Sequence, residues 1–274
     1  MSTPQKRTLP TRTGAGAGAA ALEVADLAGV VYSSGKVFDG LRTGRLDTEN
    51  FLRSGSLKGI TSKSDLALLE DLRDVAQFII TNRELPINSA FVRAVNERIT
   101  RSGPLHPGQY RTADQQIGVN TQYGRHEPQA INDAALQRLI DRAMAKPTPR
   151  EQALELFVQI AKAQPFEDGN KRTALFVANS GLIREPQPEM LVVPLDETSA
   201  DKAEHFNELL ARAYVLGDDS GVKDLLRSEG FTTHASASDR KKAAHLSRHA
   251  ERRDVTLDPH RRFPSDEHEE PQLR

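Results

Sequence analysis

Residues 164 to 173 read Gln-Pro-Phe-Glu-Asp-Gly-Asn-Lys-Arg-Thr and join two stretches of helical apolar periodicity. Leu154, Phe157, Val158 and Ala161 recur at helical spacing before it, which predicts an amphipathic helix from about residue 150 to 163. Pro165 ends that helix, because the residue before a proline is pushed out of the helical region. Thr173, Phe176, Val177 and Ser180 then mark one face of a second helix, so the loop must open a helix. A helix N-terminus presents unpaired backbone N–H groups and a partial positive charge, which together attract phosphate oxygens. Gly169 permits a tight turn and close approach of a ligand, Asn170 brings an amide, and Lys171 and Arg172 bring cationic donors. Asp168 adds a hard carboxylate oxygen suited to a phosphate-bound magnesium ion. On the residues alone two readings stand: an anion grip with a metal ligand, or an ordinary helix–loop–helix connection whose charges are solvated. A Walker loop is excluded, since its first glycine and its Gly-Lys-Ser/Thr ending are missing and the preceding segment is helical.

Helical patterns dominate elsewhere. Leu66, Leu69, Leu72, Val75, Ala76 and Ile79 mark one helix, Phe91, Val92, Val95 and Ile99 another, and Phe206, Leu209, Leu210 and Ala213 a late one. Strand signals are confined to about 110 to 119 and to Met190–Val193. The chain shows no repeat of solenoid length. A mainly α fold follows, a helical bundle with one small hairpin.

The decapeptide resembles the signature of the Fic/Doc, or Fido, family, whose general form is His-Pro-Phe-x-Asp/Glu-Gly-Asn-Gly/Lys-Arg. Pro165, Phe166, Asp168, Gly169, Asn170, Lys171 and Arg172 all fit, and Asn170-Lys171-Arg172-Thr173-Ala174-Leu175 looks like the Doc branch. Pro107-Gly108-Gln109-Tyr110-Arg111 followed by Ile117-Gly118-Val119 is similar to the family's flap, a β-hairpin that aligns a target segment by strand addition. His126-Glu127-Pro128 and a helix from about 132 to 145 fall where the family has its linker and next helix, so the resemblance covers about residues 45 to 230. It implies a Fido-type helical bundle and a magnesium-dependent transfer of AMP, or of a phosphoryl group, from ATP to a Ser, Thr or Tyr hydroxyl of a protein target. Phe166 would anchor the loop, Asp168 would hold Mg2+, and Gly169, Asn170, Lys171 and Arg172 would bind the nucleotide. Arg111, Ile117, Gly118 and Val119 would hold the target. Lys171 marks the branch: glycine there goes with nucleotidyl transfer, and lysine in Doc with a phosphorylation-like reaction. A small antitoxin or another regulatory partner belongs to the same expectation.

Two departures qualify it. Gln164 stands where the family has its catalytic histidine, and a carboxamide can orient a hydroxyl but cannot take its proton near neutral pH. Slow transfer through positioning and magnesium, a substitute base in Glu167, and a catalytically silent module that binds nucleotide or a partner all stay open. The second departure concerns self-inhibition. Ser54-Gly55-Ser56-Leu57-Lys58-Gly59 resembles the family's inhibitory helix with Lys58 in place of its glutamate, and Leu175 replaces the arginine that the glutamate would meet. Inhibition by that route is not expected. As residues alone, 54 to 59 equally read as a loop with two glycines.

Composition sets the remaining limits. Among 274 residues only 5% are aromatic and none is tryptophan, so part of the chain is expected to stay unpacked. We divide it into an N-terminal tail expected to be disordered (1–22), N-terminal helices (23–100), a core with flap and signature loop (101–232), and a charged, His-rich tail expected to be disordered (233–274) that holds five of the eight histidines. A net charge of −1 gives no global attraction to nucleic acid or an anionic membrane. No stretch reaches the roughly 18 consecutive apolar residues of a membrane helix. Nor does the N-terminus show the basic start and apolar core of a secretory signal. Absence of cysteine removes disulfides, zinc–thiolate sites and a thiol nucleophile. A cytoplasmic location is the expectation, with a specialised secretion route left open.

Overall fold

A computed structural model describes residues 22–233. The expected tails therefore lie outside the described residues except at their inner ends, where Leu22 packs into the core and Thr233 closes a strand. After a 3₁₀ turn, Val24–Leu27, come α1 (Ala28–Asp39), α2 (Arg45–Ser54), α3 (Lys63–Thr81) and α4 (Ser89–Asn96). A hairpin of β1 (Val119–Thr121) and β2 (Gly124–His126) leads to α5 (Asp133–Met144), α6 (Pro149–Ala163) and α7 (Asn170–Leu182). The order closes with β3 (Glu189–Leu191), α8 (Asp201–Val215), α9 (Ser220–Glu229) and β4 (Phe231–Thr233), β4 pairing antiparallel with β3. Among the described residues no helix is long and apolar enough to cross a membrane.

The bundle is built around α7. Its sequence buries Thr173 through Ser180 without interruption, so it is buried all round rather than on one stripe, as expected of a central helix. Helix α6 packs along it most extensively, and α1, α3 and α4 cover other sides. Local signals set the ends. Thr148 caps α6 through its side chain, with Pro149 in the first turn where its missing N–H costs nothing. Ser62, Asn88 and Asn132 cap α3, α4 and α5 in the same way.

One expectation needs correction. The hairpin lies at 119–126, not 110–119: Tyr110 makes only an isolated antiparallel bridge to Phe166, and the ladder begins at Val119, which pairs with His126. The reason is turn chemistry, because Gly124 takes a positive φ that closes the loop after Thr121, a signal further along than the apolar pair Ile117 and Val119. Residues 54–59 form no helix of their own, in keeping with their reading as a loop with two glycines. They are the end of α2 and the turn after it, stopped by Gly55 in the left-handed conformation. Helices α1, α2 and α9 add to those that periodicity predicts, their apolar positions being fewer or interrupted by Gly and Ser.

Candidate active site

The signature loop is shaped from within. Gln164 caps α6 in the left-handed region, φ 43° and ψ 62°, and its carbonyl accepts the Arg111 Nε–H at 2.7 Å. Phe166 is fully buried, its ring stacked on Tyr110 with centroids 5.8 Å apart. The Asn170 amide clasps Phe166 at both ends: Oδ1 accepts the Phe166 N–H and Nδ2 donates to the Phe166 carbonyl, each at 2.9 Å. Gly169 takes a positive φ and lies against Ile99 and Asn96, so a Cβ there would meet Ile99 at 2.8 Å. Buried Asn96 ties this turn to two neighbours, donating to the Asp168 carbonyl and to Thr173 Oγ1, both at 3.1 Å, and accepting the Gly108 N–H at 2.9 Å.

The outcome is a cleft of about 180 Å³ at the N-terminus of α7. Gln164, Glu167 and the run Asp168 to Arg172 line it, facing Phe38 and Asp39 of α1, Ile117 to Val119 before and at the start of β1, and Tyr214 of α8. The N–H groups of Asn170, Lys171 and Arg172 have no hydrogen-bond partner among the described residues; the first bond of the helix runs from Thr173 to the Gly169 carbonyl. Asp168 and Arg172 stand on the same side of the chain, Oδ2 and Nη2 3.5 Å apart. The loop thus has the form of an anion site.

The charges are unevenly held. Arg172 is 2% exposed, and its Nη1 donates to Ser102 Oγ at 2.9 Å while Nη2 donates to the Ser102 carbonyl at 3.2 Å. Its Nε lies 3.5 Å from Asp39 Oδ2. Burial raises the Asp39 carboxyl; Arg172 pulls it down, Asp168 pushes it up and Lys171 opposes, and the balance leaves it above the ordinary range. Lys171 rests over the Phe38 ring at 5.0 Å, and burial lowers its ammonium below the ordinary lysine range against the pull of Asp39 and Asp168. Asp168 is open, its side chain 61% exposed, with Oδ1 on the Gly169 N–H at 2.6 Å.

Several expected roles change with this geometry. The Asn170 side chain is consumed in shaping the loop, so only its backbone N–H is left for a ligand. Arg111 is buried and turned away from the cleft, its guanidinium holding the Gln164 and Pro128 carbonyls, so it braces the loop instead of meeting a target. Glu167 lines the cleft, but its carboxylate accepts from His106 N–H at 3.2 Å, contacts His106 Nδ1 at 3.1 Å and accepts from Gln115 Nε2. The bond from His106 chiefly holds its pKa below the ordinary value, which suits a latch better than a base. Gln164 is 4% exposed and its carboxamide makes no hydrogen bond to a described residue.

Sequence reasoning missed Asp39, Asn96, Ser102 and Phe38. Only Asp39 left a signal. It is an acid in the last turn of a helix, where the macrodipole disfavours it, followed by Gly40 as a left-handed cap. A carboxylate therefore does reach the signature arginine, from α1 and not from the stretch 54–59, and it meets Arg172. Leu175 lies wholly in the core.

Residues 86–182 match the family model described as Fic/DOC family. Among solved structures the chain resembles a Fic-1 fragment (aa 134–508) from C. elegans, at 17% identity and TM-score 0.54, over 80% of this chain and 63% of that one. It also resembles a Fic domain containing signaling protein from Bacteroides thetaiotaomicron VPI-5482, at 22% identity and TM-score 0.53, over 73% of this chain and 83% of that one. These identities show a shared fold, and the chain spans less than two thirds of the Fic-1 fragment. No curated protein matches it in sequence. The family match spans about a third of the chain and contains the cleft loop, the hairpin and the two central helices, so this part of the chain is similar to the Fic/DOC family and the whole shares the fold of Fic-domain structures.

Proposed function

We propose that the cleft binds a nucleoside triphosphate, ATP in the first instance, and that the chain is a Fic-type transfer module acting on a hydroxyl of a protein target. The observation that carries this reading is the set of three N–H groups at Asn170 to Arg172 that have no hydrogen-bond partner among the described residues, flanked by two cations and an open carboxylate. The enclosed volume is below the roughly 300–1,000 Å³ of pockets that envelop a whole small ligand, so it encloses part of a nucleotide. The buried Arg172 and the helix N-terminus suit the phosphates. Ile117 to Val119, on the facing wall, are the residues we assign to the acceptor segment.

Magnesium fits the same place. Asp168 is exposed and only loosely held by Arg172, and a hard oxygen of this kind, together with phosphate oxygens, is how Mg2+ is commonly bound. Among the described residues no group of three or more potential ligands is assembled, so the phosphates and water would have to supply the rest of the ion's shell. When bound, the ion would neutralise charge on the phosphates.

In the transfer, the acceptor oxygen bonds to phosphorus as the phosphoanhydride bond breaks. Attack at the α position releases pyrophosphate, and attack at the γ position releases ADP. The hydroxyl proton must leave. Gln164 can orient that hydroxyl through its carboxamide, which has no partner among the described residues, but cannot accept the proton, and Glu167 is engaged by His106 and Gln115. That same pair of observations favours the second reading, a module that binds nucleotide without transferring it.

Incubation of the purified chain with magnesium and ATP labelled at the α or γ position, in lysate and beside Gln164→His, tests both. Protein label from the α position marks nucleotidyl transfer, and label from the γ position alone marks phosphorylation. Label with the histidine variant alone supports the silent module. No label with either chain, and no heat of ATP binding by calorimetry, removes both readings.

A further inference from the structure

The grip on Arg172 is asymmetric. Its close hydrogen bonds, at 2.9 and 3.2 Å, go to neutral oxygens of Ser102, while the two carboxylates stand at 3.5 Å. Charge-assisted bonds normally close to about 2.7–2.9 Å, so Asp39 and Asp168 are the loose partners. Both line the cleft, and Ser102 does not. The fixed side of the guanidinium thus faces the protein, and the exchangeable side faces the cleft.

Ser102 is in turn held by Asp71 of α3. That carboxylate is 0% exposed and accepts from Ser102 N at 2.7 Å, Ser102 Oγ at 2.8 Å, Arg101 N at 2.9 Å and Thr100 N at 3.1 Å, with Arg101 Nη1 at 3.0 Å. Burial alone would raise the Asp71 carboxyl, but the bonds from Ser102, Arg101 and Thr100 outweigh it and leave the group below its ordinary range. An ionised carboxylate only accepts. The Ser102 hydroxyl must therefore spend its proton on Asp71, which leaves its lone pairs for Arg172. Hydrogen bonds in such a chain polarise one another.

We propose that Ser102, oriented by Asp71, is the positioning residue that presents the Arg172 guanidinium to the phosphates. The inference rests on the reading of the cleft as a triphosphate site. It assigns no chemistry to Ser102 or Asp71, both of which act through Arg172.

The test is calorimetric binding of ATP and of inorganic triphosphate, each with magnesium, to the full chain and to Ser102→Ala, Ser102→Thr, Arg172→Met and the double variant Ser102→Ala/Arg172→Met, with thermal unfolding of each. Ser102→Ala keeps the backbone N–H that Asp71 accepts and the carbonyl that Arg172 meets, and removes only the hydroxyl link. Binding of both ligands is expected to weaken about tenfold, the worth of one hydrogen bond to a charged group. Ser102→Thr restores it. In the Arg172→Met background the loss of the hydroxyl has no further effect on affinity, which a general loosening of the turn would not reproduce. Wild-type affinity in Ser102→Ala, or an equal loss in both backgrounds, overturns the positioning role while leaving the site intact. If the full chain binds neither ligand, the triphosphate reading fails and this one with it. Should Ser102→Ala unfold, the Ser102→Thr variant decides: it must bind as wild type.

Discussion

The two walls of the cleft are built differently. The signature loop hangs from buried groups: Phe166 in the core, Asn170 closed on Phe166, Asn96 bridging to Thr173, and Arg172 fixed on Ser102. The β1–β2 hairpin has a three-pair ladder and is supported mainly at the surface and its base, by Tyr123 Oη on Glu208 at 2.8 Å, by His126 Nε2 on the Lys162 carbonyl at 2.7 Å, and by the His126 ring stacked on Tyr214. A two-stranded ribbon is marginal by itself and depends on what it leans against. The proposed anion grip would thus be set by the core before any ligand arrives, while the opposite wall has its shape from a few replaceable contacts.

The comparison can be broken hardest at the seam between the walls, position 164. Gln164→His should raise label transfer from ATP by about 10²–10⁴-fold, the usual contribution of a general base. The left-handed backbone there is one that histidine tolerates better than most residues. A rate unchanged by the substitution, measured with folded protein and saturating ATP, would mean that the chemistry does not run through this residue.

Phe166→Ala attacks the core-built wall. Loss of a fully buried phenylalanine costs about 3–5 kcal/mol, and the Tyr110 stack goes with it. Denaturant unfolding should show that loss, and a change under about 1 kcal/mol would show that the loop does not depend on its anchor.

Asp39→Asn sharpens the comparison by leaving the wall intact and releasing its cation. Asp39 and a phosphate compete for the Arg172 guanidinium, so ATP affinity should rise about fivefold, the worth of one partly solvated pair near 1 kcal/mol. The pH dependence has a definite sign. Because the folded-state pKa of Asp39 is raised, the folded chain binds the proton more readily than the unfolded one, and stability falls as pH rises from the ordinary aspartate value through the raised one. Asp39→Asn should remove that part of the slope, and melting curves across mildly acidic pH that overlay those of the wild type would contradict it.

The smallest effect is expected on the surface-built wall. Tyr123→Phe deletes an exposed bond to Glu208 and should change stability by less than about 0.5 kcal/mol. A larger loss, or a fall in ATP binding seen by the same calorimetry, would show that the hairpin is bound to the core more firmly than its contacts imply.

The sequence was most legible where one segment met both a local and a global constraint. Apolar periodicity before Pro165 predicted α6 almost to its ends, and the periodicity from Thr173 to Ser180 predicted that a helix follows the loop, where α7 stands. The hairpin was less legible, because its position depended on which glycine would take the positive φ, and several were available. Asp39 was overlooked for a different reason. Nothing within α1 states that its last acid will lie across from a helix that begins about 130 residues later.

Helix periods, caps and breakers act within a few residues, and for that reason the chain's own order determined the central helical pair, the loop between them and the chemical types it carries. Which groups of that loop remain free is decided across the fold. Asn96, Ser102, Asp71 and Asp39 come from separate elements, and they bond to the loop only because packing around α7 brings them within hydrogen-bond range of it. That packing leaves the backbone N–H groups open, spends the Asn170 amide, and turns Arg172 toward the cleft.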